Sequence, residues 1–142
     1  MRRRSDMFWD SSCGRGNGPS KDIGRCIMDF RLNPDPAAME PSTLTDPAAF
    51  TTVDRTELNY TAFATEDERI LSGVWECAPC REEIAAYPVH EMMTVISGAL
   101  TLTHPDGRKE HFTKGDTFFI PKGAPLIWEI TETLRKFYMI VA

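Results

Sequence analysis

Gly115-Asp116-Thr117-Phe118-Phe119-Ile120-Pro121-Lys122-Gly123 is the stretch that decides the fold. A glycine turn, a short apolar strand and a Pro-x-Gly turn, in that order, make one corner of a small β-barrel. A matching piece lies upstream, where Glu91 is followed by six residues and then Gly98. Working outward, the chain alternates strand and turn from Glu57 to its end. Strands are expected at Leu58 to Phe63, Ile70 to Cys77, Met92 to Thr103, Lys109 to Phe112, Asp116 to Ile120, Leu126 to Glu132 and Leu134 to Val141. Pro105-Asp106-Gly107 marks a tight turn between two of them. No run keeps helical periodicity over three turns, so the class is all-β, a closed antiparallel barrel or double-sheet roll.

Length and charge narrow the partners. The 142 residues, 42% of them hydrophobic, can bury one core and no more. A net charge of -5 argues against a nucleic-acid partner, which needs a basic stripe to neutralise phosphates. Arg2-Arg3-Arg4 is the one basic run and reads as a solvated tail. No apolar run reaches the roughly 18 residues a bilayer span requires, and no apolar segment follows the basic start, so a cytoplasmic protein without membrane contact is expected.

Residues 1–56 differ from 57–142. Gly14, Gly16, Gly18, Pro19, Pro34, Pro36, Pro41 and Pro47 interrupt every candidate helix or strand there. The expected organisation is an irregular, partly disordered N-terminal arm followed by the barrel at 57–142. Phe30, Leu32, Leu44, Phe50 and Val53 are the apolar residues available to pin the arm. Cys77-Ala-Pro-Cys80 matches Cys-x-x-Cys, but it closes an expected strand instead of opening a helix, where a dipole would lower a thiol pKa. Cys13 and Cys26 lie in the arm and complete no zinc spacing, so reduced thiols are the default.

The two pieces together resemble the paired motifs of the cupin superfamily, and the chain is similar in particular to the ureidoglycine aminohydrolase-like and ethanolamine-utilisation cupins. The resemblance covers residues 57–142. It rests on Ser72-Gly73-Val74-Trp75-Glu76-Cys77, on Tyr87-Pro88 before Glu91, on Gly115-Asp116 with Pro121-x-Gly123, on Trp128-Glu129 and on Arg135-Lys136-x-Tyr138. It implies a single-domain cupin, a jelly-roll β-barrel. Metal-dependent cupins carry His-x-His before the glutamate and another His after the Pro-x-Gly. Here those places read Ala85, Tyr87 and Leu126, or Ile84 and Ala86 in the alternative spacing, and of four ligands only Glu91 remains. One carboxylate does not hold a transition metal that wants two or three nitrogens beside it, so no metal and no other cofactor is expected.

Strand alternation then places side chains. If Glu91 faces inward, Met93 and Val95 do too; Leu126, Trp128 and Ile130 share one face. The last strand has two open parities, and the resemblance favours Lys136 and Tyr138 over Phe137, Met139 and Val141 as its inner face. The candidate site is therefore Glu91 and Lys136 as acid and base, with Tyr87, Met93, Leu126, Trp128 and Tyr138 lining a ligand pocket. Such a lining suits a small molecule bearing a carboxylate, amine or ureido group. His90 points to the opposite face from Glu91, while His104 and His111 fall on a solvated hairpin. Two functions stay open: a small-molecule-binding cupin, in which Glu91 and Lys136 can also support metal-independent catalysis, and a structural or oligomeric module with a filled barrel. A homodimer is expected in either case, since unpaired sheet edges need covering.

Overall fold

The computed structural model describes residues 38–142, so Arg2 to Arg4, Cys13, Cys26, Phe30 and Leu32 lie outside the described residues. Eight antiparallel strands follow one another: β1 (Glu40–Pro41), β2 (Glu57–Ala64), β3 (Ile70–Cys77), β4 (Cys80–Ile84), β5 (His90–Thr103), β6 (Lys109–Phe112), β7 (Thr117–Ile120) and β8 (Leu126–Val141). A single 3-10 turn spans Pro47–Ala49, capped by the Asp46 side chain, which accepts the Ala48 N–H. This is the all-β jelly roll expected from the sequence.

Two long strands form its spine. β5 and β8 pair along nearly their whole length, from His90 opposite Val141 to Thr103 opposite Ile127. Their outer edges are shared: β8 pairs with β4 through Leu126 to Ile130 and with β3 through Leu134 to Val141. β5 likewise takes β7 at Glu91 to Thr94 and β6 at Leu100 to Thr103. Midway, the β5–β8 register slips three times between Val95 and Leu100, where Gly98 has φ +87°. A side chain at Gly98 would place its Cβ 2.0 Å from the Thr133 carbonyl oxygen. Bulges of this kind bend a strand and strengthen its twist. The bend folds the sheet onto itself, so that Trp75 on β3 meets Trp128 on β8 with ring centroids 6.4 Å apart.

The bend also switches parity. Glu91, Met93 and Val95 point inward on β5 before it, but Leu100 and Leu102 take the inner face after it. On β8 the inner residues are Trp128, Ile130, Leu134, Lys136 and Tyr138. Outside, Met92, Phe119 and Met139 are exposed neighbours on one sheet face, and His90 stacks on Phe119 there with centroids 6.1 Å apart.

Three expectations need correction. Leu126 to Val141 is one continuous strand and not two, because the residues at its middle bulge stay in the sheet. Cys80 opens β4, a strand absent from the expected set, since its Cys-Arg-Glu-Glu-Ile sequence has too few apolar residues to show alternation. Leu44 and Val53 do not pin the arm: they are 81% and 101% exposed, whereas Phe50 packs on the core and bridges to Cys80. As for the thiols, Cys77 and Cys80 are both fully buried and lie opposite Leu134 and Ile130 on β8. A hydrogen bond to Cys80, together with burial, pushes the Cys77 thiol pKa up, so Cys77 remains protonated and inert.

Gly73 has a packing reason that shapes the site. It lies opposite Tyr138, whose phenol passes over it to reach the Asn59 side chain on β2 at 2.9 Å. A Cβ at Gly73 would meet the Tyr60 carbonyl oxygen at 1.9 Å and the Tyr138 hydroxyl at 2.8 Å. Because one of these is backbone, the clash cannot relax by a rotamer change alone. Gly73→Ala should therefore destabilise the protein by about 3 kcal/mol in urea unfolding, the upper part of the usual range for overpacking; a loss within the noise would mean that β2 and β3 are less closely apposed.

Candidate functional site

The site is assembled where the quoted turns lock together. The loop between β4 and β5 docks on the β7–β8 turn through Tyr87 N–H to Ala124 O at 2.9 Å and Gly123 N–H to Tyr87 O at 2.7 Å. Gly123 has φ +88°, a conformation that Pro121-x-Gly supplies without strain. Tyr87 is thereby held at the barrel wall with its phenol turned inward, and its hydroxyl donates to Glu91 Oε2 at 2.5 Å. The other carboxylate oxygen, Oε1, accepts from Lys136 Nζ at 2.6 Å. Glu91 enters from β5 opposite Ile140, and Lys136 from β8 opposite Val95, four residues further along the ladder. Their side chains are only 5% and 7% exposed.

Aromatic rings surround the ammonium. Lys136 Nζ lies 5.0 Å from the centroids of both Trp75 and Trp128, and 3.5 Å from the Met93 sulfur. Indole faces carry negative electrostatic potential, so two of them solvate a cation that has left water. Trp128 also packs against Tyr87 at 6.5 Å between centroids. Burial first, then the Glu91 charge and the hydrogen bond to it, push the Tyr87 pKa well above the usual phenol range, so Tyr87 is a permanent donor.

Of the residues expected at the site, Tyr87, Glu91, Met93, Trp128 and Lys136 come together in direct contact. Tyr138 is buried on the same face but gives its hydroxyl to Asn59. Leu126 is half-buried against the core, opposite Ile84 at the start of β8. His90 faces outward, where its Nδ1 accepts the Lys122 N–H at 3.1 Å. On the hairpin His104 bonds to Glu110 and His111 to Thr101.

Two members were not foreseen. In the sequence Trp75 stands out only as part of a family motif, and Glu57 only as the residue from which the strand pattern begins. Glu57 opens β2, is buried, and fills its carboxylate with four donors. Oε1 accepts from Ser42 Oγ at 2.8 Å, Leu44 N at 3.1 Å and Trp75 Nε1 at 3.0 Å, and Oε2 from Thr45 N at 3.0 Å. Burial alone would raise its pKa, but the bonds from Thr45, Ser42, Trp75 and Leu44 outweigh that and hold it below the usual carboxylate range. The sequence signal was slight: a lone Glu at a strand start looks like a solvated charge.

A metal does not fit this arrangement. A cation beside Glu91 would meet the Lys136 ammonium at the carboxylate oxygen it needs, and Ala85, Tyr87 and Leu126 bring no nitrogen. Among the described residues no group of three or more His, Cys, Asp or Glu side chains is placed to hold a metal ion.

An antiparallel roll bent at a β5–β8 bulge, with an inward glutamate beside a Pro-x-Gly turn, is the architecture of the cupins. The chain belongs to the EutQ-like cupin domain family, which it matches over residues 64–138. A protein of unknown function from Pseudomonas syringae pv. tomato is 28% identical with a TM-score of 0.65; the alignment covers 72% of this chain and 44% of that one, so the chain spans less than half of that relative's length. The EutQ protein of Clostridium difficile is 22% identical (TM-score 0.53, covering 74% and 82% of the two chains). The polyketide cyclase RemF of Streptomyces resistomycificus is 20% identical (TM-score 0.58, covering 78% of each). At those identities the last two show a shared fold alone. No curated protein matches this sequence. No helix among the described residues is long and apolar enough to cross a membrane.

Two measurements check this site. Elemental analysis of untagged, dialysed protein should find well under one transition metal per chain; stoichiometric retention would contradict the geometry around Glu91. Glu57, whose folded pKa is depressed, contributes stability that is fully present above the ordinary carboxylate range and is lost as pH falls through the folded value. Glu57→Gln should lower stability at neutral pH by about 2 kcal/mol, as expected for charge-assisted bonds. The same variant should flatten the wild-type decline of stability between roughly pH 5 and pH 3; an unchanged acid profile would show that Glu57 titrates normally.

Proposed function

We propose that this cupin binds a small, net-neutral polar metabolite at the Glu91–Lys136 pair. The observation that carries the reading is the 2.6 Å contact between an ammonium and a carboxylate on the inner face of an apolar barrel, with Tyr87 as a third polar group and indole walls on either side. A barrel interior has no need of such a pair for stability, because a well-packed apolar pair of similar volume commonly does as well or better. Convergent polar groups within aromatic walls are the usual make-up of a small-molecule site.

The pair itself selects the ligand class. Lys136 and Glu91 together carry no net charge, so a ligand with a net charge would bring an uncompensated ion into a low-dielectric interior. A ureido, carboxamide or amino-acid head group avoids this. Its carbonyl or carboxylate oxygen accepts from Lys136, and its N–H donates to Glu91. A ureidoglycine aminohydrolase-like chemistry is the finer form of the reading. There Glu91 serves as general acid or base without a metal, and Lys136 stabilises negative charge developing on the ligand's oxygen.

A second reading is supported by how completely the pair is satisfied. No buried side-chain nitrogen or oxygen lacks a hydrogen-bond partner among the described residues. A module with a filled barrel, in which Glu91 and Lys136 close the interior, agrees with that. Glu91→Gln separates the two. A filled barrel should lose about 3 kcal/mol of stability, because the ammonium is left buried without a counter-charge. A hydrated, ligand-binding site should lose under about 1 kcal/mol. In that case an NMR or thermal-shift screen of ureido acids, carboxamides and amino acids that finds a binder to the wild type should find none to the variant. Binding that survives Glu91→Gln would overturn the proposed site.

A further inference from the structure

We infer that Glu57 is a positioning residue for the Lys136 site, acting through the indole of Trp75. The inference rests on the ligand-binding reading above for its functional meaning. The contacts run in sequence: Glu57 Oε1 accepts the Trp75 Nε1–H at 3.0 Å, and the Trp75 ring lies 5.0 Å from Lys136 Nζ. Lys136 in turn bonds to Glu91, and Glu91 to Tyr87. A lysine ammonium is a compact charge on a flexible stem with no geometric preference of its own. Where it sits depends on what surrounds it. Glu91 fixes one direction; the two indoles, edge-to-face at 70°, fix the rest.

An indole on a strand keeps freedom about its second side-chain torsion, which is broad for sp² groups. A hydrogen bond to Nε1 removes that freedom. Glu57 is placed to do so because it shares the inner face of β2 with Asn59, the residue directly opposite Trp75. It is itself immobilised from a third element, by the Leu44 and Thr45 N–H groups and the Ser42 hydroxyl. The turn at 42–45 therefore sets the tilt of an indole at least thirty positions away in sequence. That indole is one of the two that hold the site's only ammonium.

The alternative is that Glu57 merely anchors the 42–45 turn to β2. The two are separated by a signal from Lys136 itself. Its Hε protons lie beside two indole rings and are displaced by ring currents, a signature that fold stability alone does not move. Three variants are compared by NMR on protein shown to be folded by circular dichroism. Ser42→Ala removes a turn contact but leaves the indole bond; it should lower the melting temperature and leave the Trp75 indole N–H and the Lys136 Hε shifts in place. Glu57→Asp keeps the charge but shortens the side chain, so the carboxylate withdraws from the indole as well as from Ser42 and Leu44; the Trp75 N–H should move upfield and the Lys136 Hε protons should lose most of their ring-current displacement, changes that Ser42→Ala, which loosens the turn alone, should not produce. Glu57→Gln restores an acceptor at the original reach and should recover both signals. Lys136 shifts that stay unchanged in Glu57→Asp while the Trp75 N–H moves, or that change equally in Ser42→Ala, would overturn the inference. None of these readouts needs a ligand. A wild-type protein that binds nothing in the ureido, carboxamide and amino-acid screen would sink the ligand-binding reading, while the Trp75–Lys136 coupling would be judged on its own signals.

Discussion

An ammonium placed against a carboxylate inside an apolar barrel constrains everything around it. Taking either ion out of water costs several kcal/mol, and their mutual attraction offsets this only with close geometry and with partners for the remaining donors and lone pairs. Here the second Glu91 oxygen goes to Tyr87, and the rest of the Lys136 ammonium faces two indoles and a thioether. Each of these partners comes from a different part of the chain: Tyr87 from the β4–β5 loop, Trp75 from β3, Trp128 from the first half of β8, Met93 from β5. The pair can be buried only once the barrel has closed.

Closure in turn depends on the bend in the two long strands. Without the slips between Val95 and Leu100, β5 and β8 would continue as a flat ribbon and Trp128 would lie far along the strand from Lys136. Gly98 makes the bend possible because the Thr133 carbonyl occupies the space any side chain would need. The parity change that comes with the bend puts Leu100 and Leu102 inside behind Trp128 and Ile130. The same device that shapes the roll therefore aligns the indole over the charge.

The sequence revealed the barrel because its turns are explicit. Gly115-Asp116, Pro121-Lys122-Gly123 and Pro105-Asp106-Gly107 each demand a turn by local chemistry, and between them only strands fit. It also placed Glu91 and Lys136 on the inner face, the first by a motif and the second by resemblance. What it did not show has a common cause. Glu57 and Trp75 are 18 positions apart, and their bond crosses from β2 to β3 at a pairing that no local pattern announces. β4 was hidden because its solvent-facing positions, Arg81 and Glu83, alternate with Glu82, so the period-two contrast is missing. Leu44 and Val53 were misplaced by the opposite fault: an apolar residue in a turn-rich stretch carries no sign of which way it faces.

The two carboxylates inside the barrel show how one environment can serve different ends. Glu57 is surrounded by four N–H and O–H donors, which favour its charged form and leave it nothing to exchange. Glu91 has one neutral donor and one charged donor, and the charged one is a flexible side chain that can be drawn to a ligand. If Lys136 turns to an incoming carbonyl, Glu91 retains Tyr87 and gains the ligand's N–H, so no ion is stranded at any stage. Were the ligand anionic, Lys136 would be shared between two anions and one of them would be left under-compensated in a medium that cannot screen it. On the proposed ligand-binding reading, the asymmetry between a saturated carboxylate that holds the wall and one whose charged donor is exchangeable would make Glu91 the member that meets the ligand, and a neutral or zwitterionic head group the partner this interior could accept without disturbing its balance of charge.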